Sequence, residues 1–307
     1  MTDEDQIQIR MHGDGLLPTL IYLPGVHGDW TLVSSFRERM KPHVRFVEFT
    51  YPRTLSWSLA DYGSAALEAL AASGIREGVL LGESFGSQVA WEMIRLAGTA
   101  AGADRPGSGK GFLARGLILA GGFGRYPFMP LVKLPRRFWE LAPAGAVRAG
   151  FRAYAIFARW RHRHAPETKE AIRDFLARRT RLDLLAIGHR YQLILYHDPT
   201  DVVRETTIPV HQLAGFWDPV VFWPAVHRAL RRDCPGFRGR RVIGLADHNV
   251  LGTAPDPAAE IVETWIKALH SYSSREGQRT RLPLEQEDLP NVSKSRIAGP
   301  SAKKDAL

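Results

Sequence analysis

The chain has 307 residues, of which 45% are hydrophobic, and a formal net charge of +9. That length accommodates one large domain with an insertion; no run reaches the roughly 18 apolar residues of a membrane-spanning helix, and no CxxC or HExxH spacing offers a metal site, so neither metal nor cofactor is expected. Cys234 is the only cysteine, which excludes an intramolecular disulfide; with the acidic start Met1-Thr2-Asp3-Glu4-Asp5-Gln6 it predicts a cytoplasmic protein.

In chain order, residues 19–23 form an apolar run of the buried-strand type, and 30–40 read as a helix behind Asp29 as N-cap. Residues 44–49 read as a strand, and 58–72 as an alanine-rich helix closed by Ser73-Gly74. A strand at 79–81 leads through Gly82-Glu83-Ser84-Phe85-Gly86 into a helix over 85–96. A glycine-rich loop at 98–111 and a strand at 117–120 follow. This alternation predicts a mostly parallel sheet with helices on both faces.

From Phe123 to Glu205 the strand pattern stops, and arginine, aromatic residues and helix formers dominate. Phe151, Tyr154, Ile156, Phe157 and Trp160 suggest one helix there, and Leu182, Leu185, Leu193 and Leu195 another. The strand pattern resumes with Ile208-Pro209-Val210-His211-Gln212-Leu213, which ends in Gly215-Phe216-Trp217-Asp218. Residues 241–245 read as the last strand, followed by Ala246-Asp247-His248-Asn249. Residues 271–307 are polar, charged and poor in apolar side chains, and read as a disordered tail.

The pentapeptide centred on Ser84 carries the chemistry. A G-x-S-x-G between a strand and a helix has the form of a nucleophile elbow, in which the serine Oγ stands above the sheet edge. The bland alternative is a glycine-rich turn with serine as helix cap. Such an elbow needs an acid and then a histidine further along the chain. Asp218 and His248 follow in that order, each just past a strand end, where open α/β sheets place their ligands. Asp218 could instead cap a helix ahead of Pro219. Asp198 and Asp201 are competing acids, but they precede the strand. His27 precedes Ser84, so the order assigns it to loop packing, and Asp247 to the turn beside His248. Cys234 has no evident histidine partner and reads as an idle thiol.

With Leu23-Pro24-Gly25-Val26-His27-Gly28, these motifs make residues 18–269, apart from the middle segment, resemble the α/β-hydrolase family. The resemblance implies a core over 1–122 and 206–270, an inserted helical cap over 123–205 and the tail. It implies Ser84 as nucleophile, His248 as base and Asp218 as its orienting acid. It also implies oxyanion-hole N–H groups on Val26 and Phe85. Pro24 stands where a histidine is common and is similar to thioesterase-type members.

The reading is a serine hydrolase that cleaves a carboxylic ester with a small or medium acyl group, a small-molecule acyl substrate. An acyl thioesterase acting on coenzyme A or carrier thioesters is the alternative. A non-catalytic binding protein is the third reading; it conflicts with a full Ser–Asp–His set. The charge is uneven: residues 123–205 carry +8 of the net +9. Arg159, Arg161 and Arg163 beside Phe157 and Trp160 suit an acidic carrier or a membrane surface rather than a nucleic acid; the alternative is a solvated cationic face that aids solubility.

Overall fold

The protein is described by a computed structural model, which describes residues 6–98, 111–127 and 180–279. The stretch 128–179, with the first of the expected cap helices and its Arg159, Arg161 and Arg163, lies outside the described residues. So do most of the 98–111 loop and residues 280–307.

A 7-stranded sheet runs in the order β1-β3-β2-β4-β5-β6-β7. Its strands are β1 (Gln8–His12), β2 (Thr19–Leu23), β3 (Arg45–Thr50), β4 (Glu77–Glu83), β5 (Leu113–Ala120), β6 (Val210–Gly215) and β7 (Phe237–Ile243). Only β1 is antiparallel to its neighbour. The described helices are α1 (Ser34–Met40), α2 (Leu59–Ala72), α3 (Phe85–Ala97), α4 (Arg181–Tyr196), α5 (Thr200–Glu205), α6 (Trp223–Asp233), α7 (Val250–Thr253) and α8 (Pro255–Arg279). The inner strands β2 and β4 are buried along nearly their whole length, which is why they read as unbroken apolar runs.

Each face of the sheet has its own core. On one side Ile21, Val47 and Leu80 pack under α2 and α3, against Tyr62, Leu67, Val89 and Trp91. On the other, Leu20, Phe46 and Ile118 pack under α1 and α8, against Phe36, Met40, Val262 and Ile266. Among the described residues no helix is long and apolar enough to cross a membrane, and no group of His, Cys, Asp and Glu side chains could hold a metal ion.

Helix α2 starts on a capping box. Ser58 Oγ accepts from the Asp61 N–H at 3.3 Å, and the Asp61 carboxylate accepts from the Ser58 N–H at 2.7 Å. It ends at Gly74, whose φ of +70° suits glycine. The expected helix over 30–40 is shorter than its pattern. Asp29 accepts from the Thr31 N–H at 2.9 Å and so folds a turn; a 3-10 segment over Thr31–Val33 follows, and α1 begins only at Ser34. The last strand lies upstream of 241–245, at Phe237–Ile243, as an edge strand with arginines turned to solvent. Helix α8 runs on to Arg279, into the segment read as tail, because no proline interrupts it before Pro283.

The helix expected from Leu182, Leu185, Leu193 and Leu195 is α4, and half of that face turns inward. Leu195 is buried and Leu193 packs against the core, whereas Leu182 and Leu185 are about half exposed, and Asp183, Ala186, Ile187, Arg190 and Ile194 complete the buried set. Polar anchors set this rotation. Arg53 Nε donates to Asp183 at 2.6 Å, His189 Nε2 donates to the Trp57 carbonyl at 2.8 Å, and Arg190 reaches the core. Past its C-terminus, His197 Nδ1 lies 2.9 Å from Gln88 Oε1 of α3.

Candidate active site

Ser84 sits between β4 and α3 at φ 50°, ψ −115°. It is the only non-glycine residue with positive φ among the described residues. Such a backbone costs on the order of 1–3 kcal/mol and persists only where its surroundings enforce it. Here they do. The Ser84 N–H donates to the Ala120 carbonyl at 3.1 Å, and Ser87 Oγ donates to the Ser84 carbonyl at 2.6 Å. The elbow glycines answer to close backbone approach. A Cβ on Gly86 would stand 2.0 Å from the Leu23 carbonyl oxygen, and one on Gly82 would stand 2.7 Å from Ser87 Cα. Gly86→Ala must therefore push α3 off the end of β2. We expect a loss of about 3 kcal/mol in a urea unfolding titration, with lost activity.

The ends of β6 and β7 bring the other side chains to Ser84. The loop after β6 is tied to that after β7 by Phe216 N–H to Ile243 O at 2.9 Å and Trp217 N–H to Ala246 O at 3.1 Å. Gly215 permits this approach, since a Cβ there would lie 2.1 Å from the Asp247 carbonyl. His248 Nε2 then lies 2.8 Å from Ser84 Oγ, and His248 Nδ1 lies 2.8 Å from Asp218 Oδ2. Both bonds form when Nδ1–H donates to Asp218 and Nε2 accepts the Ser84 hydroxyl proton. Asp218 Oδ1 accepts the N–H groups of Val220 and Val221, both at 2.8 Å, so backbone holds the carboxylate while it faces the imidazole.

Burial works to lower the pKa of His248. The Asp218 carboxylate outweighs it, by charge and by hydrogen bond, with help from Glu83 and Asp247, and the pKa is raised above 6.5. A base must be neutral to accept a proton. Activity is therefore expected to rise with pH through a midpoint above about 6.5, read from the acid limb of kcat/KM. Asp218→Asn removes the main raising influence and should move that midpoint down.

The expected oxyanion residues flank the serine. Phe85 opens α3, so its N–H has no partner within the helix. The Gly25–Gly28 turn lies against Ser84: a Cβ on Gly25 would sit 3.5 Å from Ser84 Cβ. Gly28 N–H donates to the Gly25 carbonyl at 3.0 Å, and in a trans peptide the Val26 N–H points the opposite way, out of the turn.

The remaining candidates fall elsewhere. His27 Nε2 lies 3.9 Å from the Glu83 carboxylate. Asp198 pairs with Arg125 at 3.2 Å and accepts the Thr200 N–H at 3.1 Å. Asp201 lies in the first turn of α5. Asp247 accepts the Asn249 N–H at 3.1 Å and the Thr253 hydroxyl at 3.2 Å, as a turn residue does. Cys234 is buried, and burial pushes its thiol up to about 11, the reverse of an activated thiolate.

Several polar groups have a place in the site that the motifs do not indicate. Glu83 is buried behind Ser84 and accepts the Tyr22 hydroxyl; burial and this neighbour hold the Tyr22 pKa well above 10.0. Arg190 of α4 donates to the Val26 carbonyl at 2.8 Å. Its one signal in the sequence is its position on the buried stripe of α4, four residues before Ile194.

No protein-family model and no curated protein matches the chain. Solved structures do. A thermophilic esterase from Thermogutta terrifontis superposes with a TM-score of 0.64 at 21% identity, over 86% of this chain and 94% of that one. The enol-lactonase from Burkholderia xenovorans LB400 gives 0.66 at 17% identity, over 85% and 96%. The esterase RhEst1 from Rhodococcus sp. ECU1013 gives 0.64 at 19% identity, over 86% and 95%. These likenesses establish a shared fold.

Proposed function

This chain has the α/β-hydrolase fold, and on that scaffold we propose that it is a serine hydrolase of carboxylic esters. The observation that carries the reading is the unbroken relay from Ser84 Oγ through His248 to Asp218, each link 2.8 Å long. A serine hydroxyl is a weak nucleophile until a base takes its proton. His248 Nε2 stands where that proton leaves, and Asp218 holds the imidazole in the accepting tautomer and stabilises its cation.

In the proposed reaction Ser84 Oγ bonds to the acyl carbon while its proton passes to His248. The carbonyl π electrons move onto oxygen, which the N–H groups of Val26 and Phe85 receive. The tetrahedral adduct collapses, the C–O bond to the alcohol breaks, and His248 returns the proton to the departing oxygen. Water, deprotonated by His248, then attacks the acyl carbon, the bond from that carbon to Ser84 Oγ breaks, His248 returns the proton to Oγ, and the acid leaves. The strained backbone at Ser84 fits this role, since functional sites are where such strain is kept.

An ester is favoured over a thioester because the structural relatives named above are esterases and an enol-lactonase. The test is a substrate panel: p-nitrophenyl esters of graded acyl length, lactones, and acyl-coenzyme A thioesters, each with wild type and Ser84→Ala. Turnover of oxygen esters by wild type, with only background in Ser84→Ala, is expected. A higher kcat/KM on the thioesters would transfer the protein to the thioesterase reading. Equal turnover by both proteins would remove the serine mechanism.

A further inference from the structure

We infer that Arg190 is a positioning residue that holds the oxyanion turn, an inference that rests on the acyl-transfer reading above. Its side chain enters from α4 and is 2% exposed. Its donors tie the turn that carries Val26 to the loop after β3 and to α2. Nη1 donates to the Val26 carbonyl at 2.8 Å, Nη2 to the Pro52 carbonyl at 2.8 Å, and Nε to the Tyr62 hydroxyl at 3.3 Å. The guanidinium is planar and its donors point in fixed directions, so these bonds define one position for each acceptor.

The same group packs against the end of the turn. Gly28 has φ +79°, and a Cβ there would stand 2.4 Å from Nη1 and 2.7 Å from Cζ of Arg190. The turn is therefore gripped along its length. Gly25 O takes the Gly28 N–H at 3.0 Å, Val26 O takes Arg190, and Gly28 O takes the Tyr51 N–H at 2.8 Å. With the carbonyls on both sides of Val26 held, the peptide that carries the Val26 N–H has little freedom to rotate.

Arg190 also bears on the second donor. Its guanidinium lies 5.6 Å from the ring centroid of Tyr51 and 5.9 Å from that of Tyr62. Both rings pack edge-on against Phe85, at 5.9 Å and 5.5 Å. One buried side chain thus touches Val26 directly and backs Phe85 through two aromatic rings. Arg190 is one of the polar groups that fix the rotation of α4, but the Arg53–Asp183 and His189–Trp57 bonds and the buried Ala186, Ile187 and Ile194 hold the helix as well. A cation taken from water is costly unless its donors are used. The bonds to the Val26 and Pro52 carbonyls account for an arginine here.

The test uses the full chain with Arg190→Met, which keeps side-chain length, and Arg190→Lys, which keeps the charge without the fork. On a soluble p-nitrophenyl ester, Arg190→Met should lower kcat per titrated active site about 100-fold, with KM within about twofold of wild type. A trifluoromethyl ketone adds Ser84 Oγ at its carbonyl carbon, the serine proton passing to His248, and places its oxyanion between Val26 and Phe85. Its inhibition constant should rise by the same factor as kcat falls. The acid limb of the pH profile should stay in place, because His248 and Asp218 are untouched. Arg190→Lys should recover part of the kcat.

A merely structural role would lower the melting temperature and the titratable fraction while leaving kcat per site at the wild-type value. That result overturns the inference, as does a fall in kcat without a matching loss of ketone affinity. If Arg190→Met does not fold, Arg190→Lys decides by the same criteria. Failure of the acyl-transfer reading is seen separately, in wild type alone, as absence of ester turnover and of active-site titration.

Discussion

Ser84→Ala is expected to lower kcat on an activated ester by on the order of 10⁶-fold, with the far-UV spectrum unchanged. The hydroxyl lies 2.8 Å from His248 Nε2, so in the proposed mechanism its loss removes the covalent route. Binding and the proposed oxyanion donors would remain; in a comparable triad these still give about 10³–10⁴ over water. Stability should not fall with activity. Ser84 holds φ 50°, ψ −115°, and alanine there meets the same steric penalty as serine. Glycine does not, so Ser84→Gly should be inactive and more stable than wild type by about 1–2 kcal/mol. Urea midpoints of wild type and both variants check this; a Ser84→Gly midpoint below wild type contradicts the account of a strained elbow.

His248→Ala should cost nearly as much as Ser84→Ala, because nucleophile and base act as one unit, and the double variant should be little worse than either alone. Asp218→Asn keeps the shape but offers the wrong hydrogen-bonding group to His248 Nδ1; a loss of about 10⁴ in kcat is expected. Asp198→Asn is the matched control, since Asp198 faces Arg125 and Thr200 rather than His248. Steady-state kinetics on one soluble ester reads all of these. Loss of activity in Asp198→Asn with activity retained in Asp218→Asn would move the acid out of the relay.

Much of this site can be read from the chain because its chemistry is written in local pattern. The elbow needs glycine at 82 and 86 for reasons of backbone contact, and the buried run before it marks β4. Asp218 and His248 each follow a strand end, and the sheet needs those strands whatever the substrate is. The edges are less legible. β1, Gln8–His12, has no unbroken apolar run, because it is an edge strand with no fully buried residue; Arg10 lies over the Trp30 ring at 3.7 Å instead of in a core. β7 is hidden by Arg238, Arg240 and Arg241, which an edge strand tolerates.

Helix α4 shows why charge can mislead. Leu193 and Leu195 turn inward as their spacing suggests, but Leu182 and Leu185 do not; Asp183 and Arg190 are buried instead, through partners far away in the sequence, Arg53 and Val26. Periodicity weighs burial and is blind to such long-range pairing. The Tyr22–Glu83 contact behind the elbow is hidden for the same reason: β2 and β4 are adjacent in the sheet and far apart in the chain.

The central claim is that Ser84 is an activated nucleophile. It is tested most directly by reaction of the wild-type protein with a fluorophosphonate, followed by intact-mass and peptide mass spectrometry. The account predicts one phosphonyl adduct per chain, on the peptide that contains Ser84, forming faster as pH rises through the His248 midpoint and absent from Ser84→Ala and His248→Ala. An unmodified wild-type protein, or an adduct on any other residue, would contradict it.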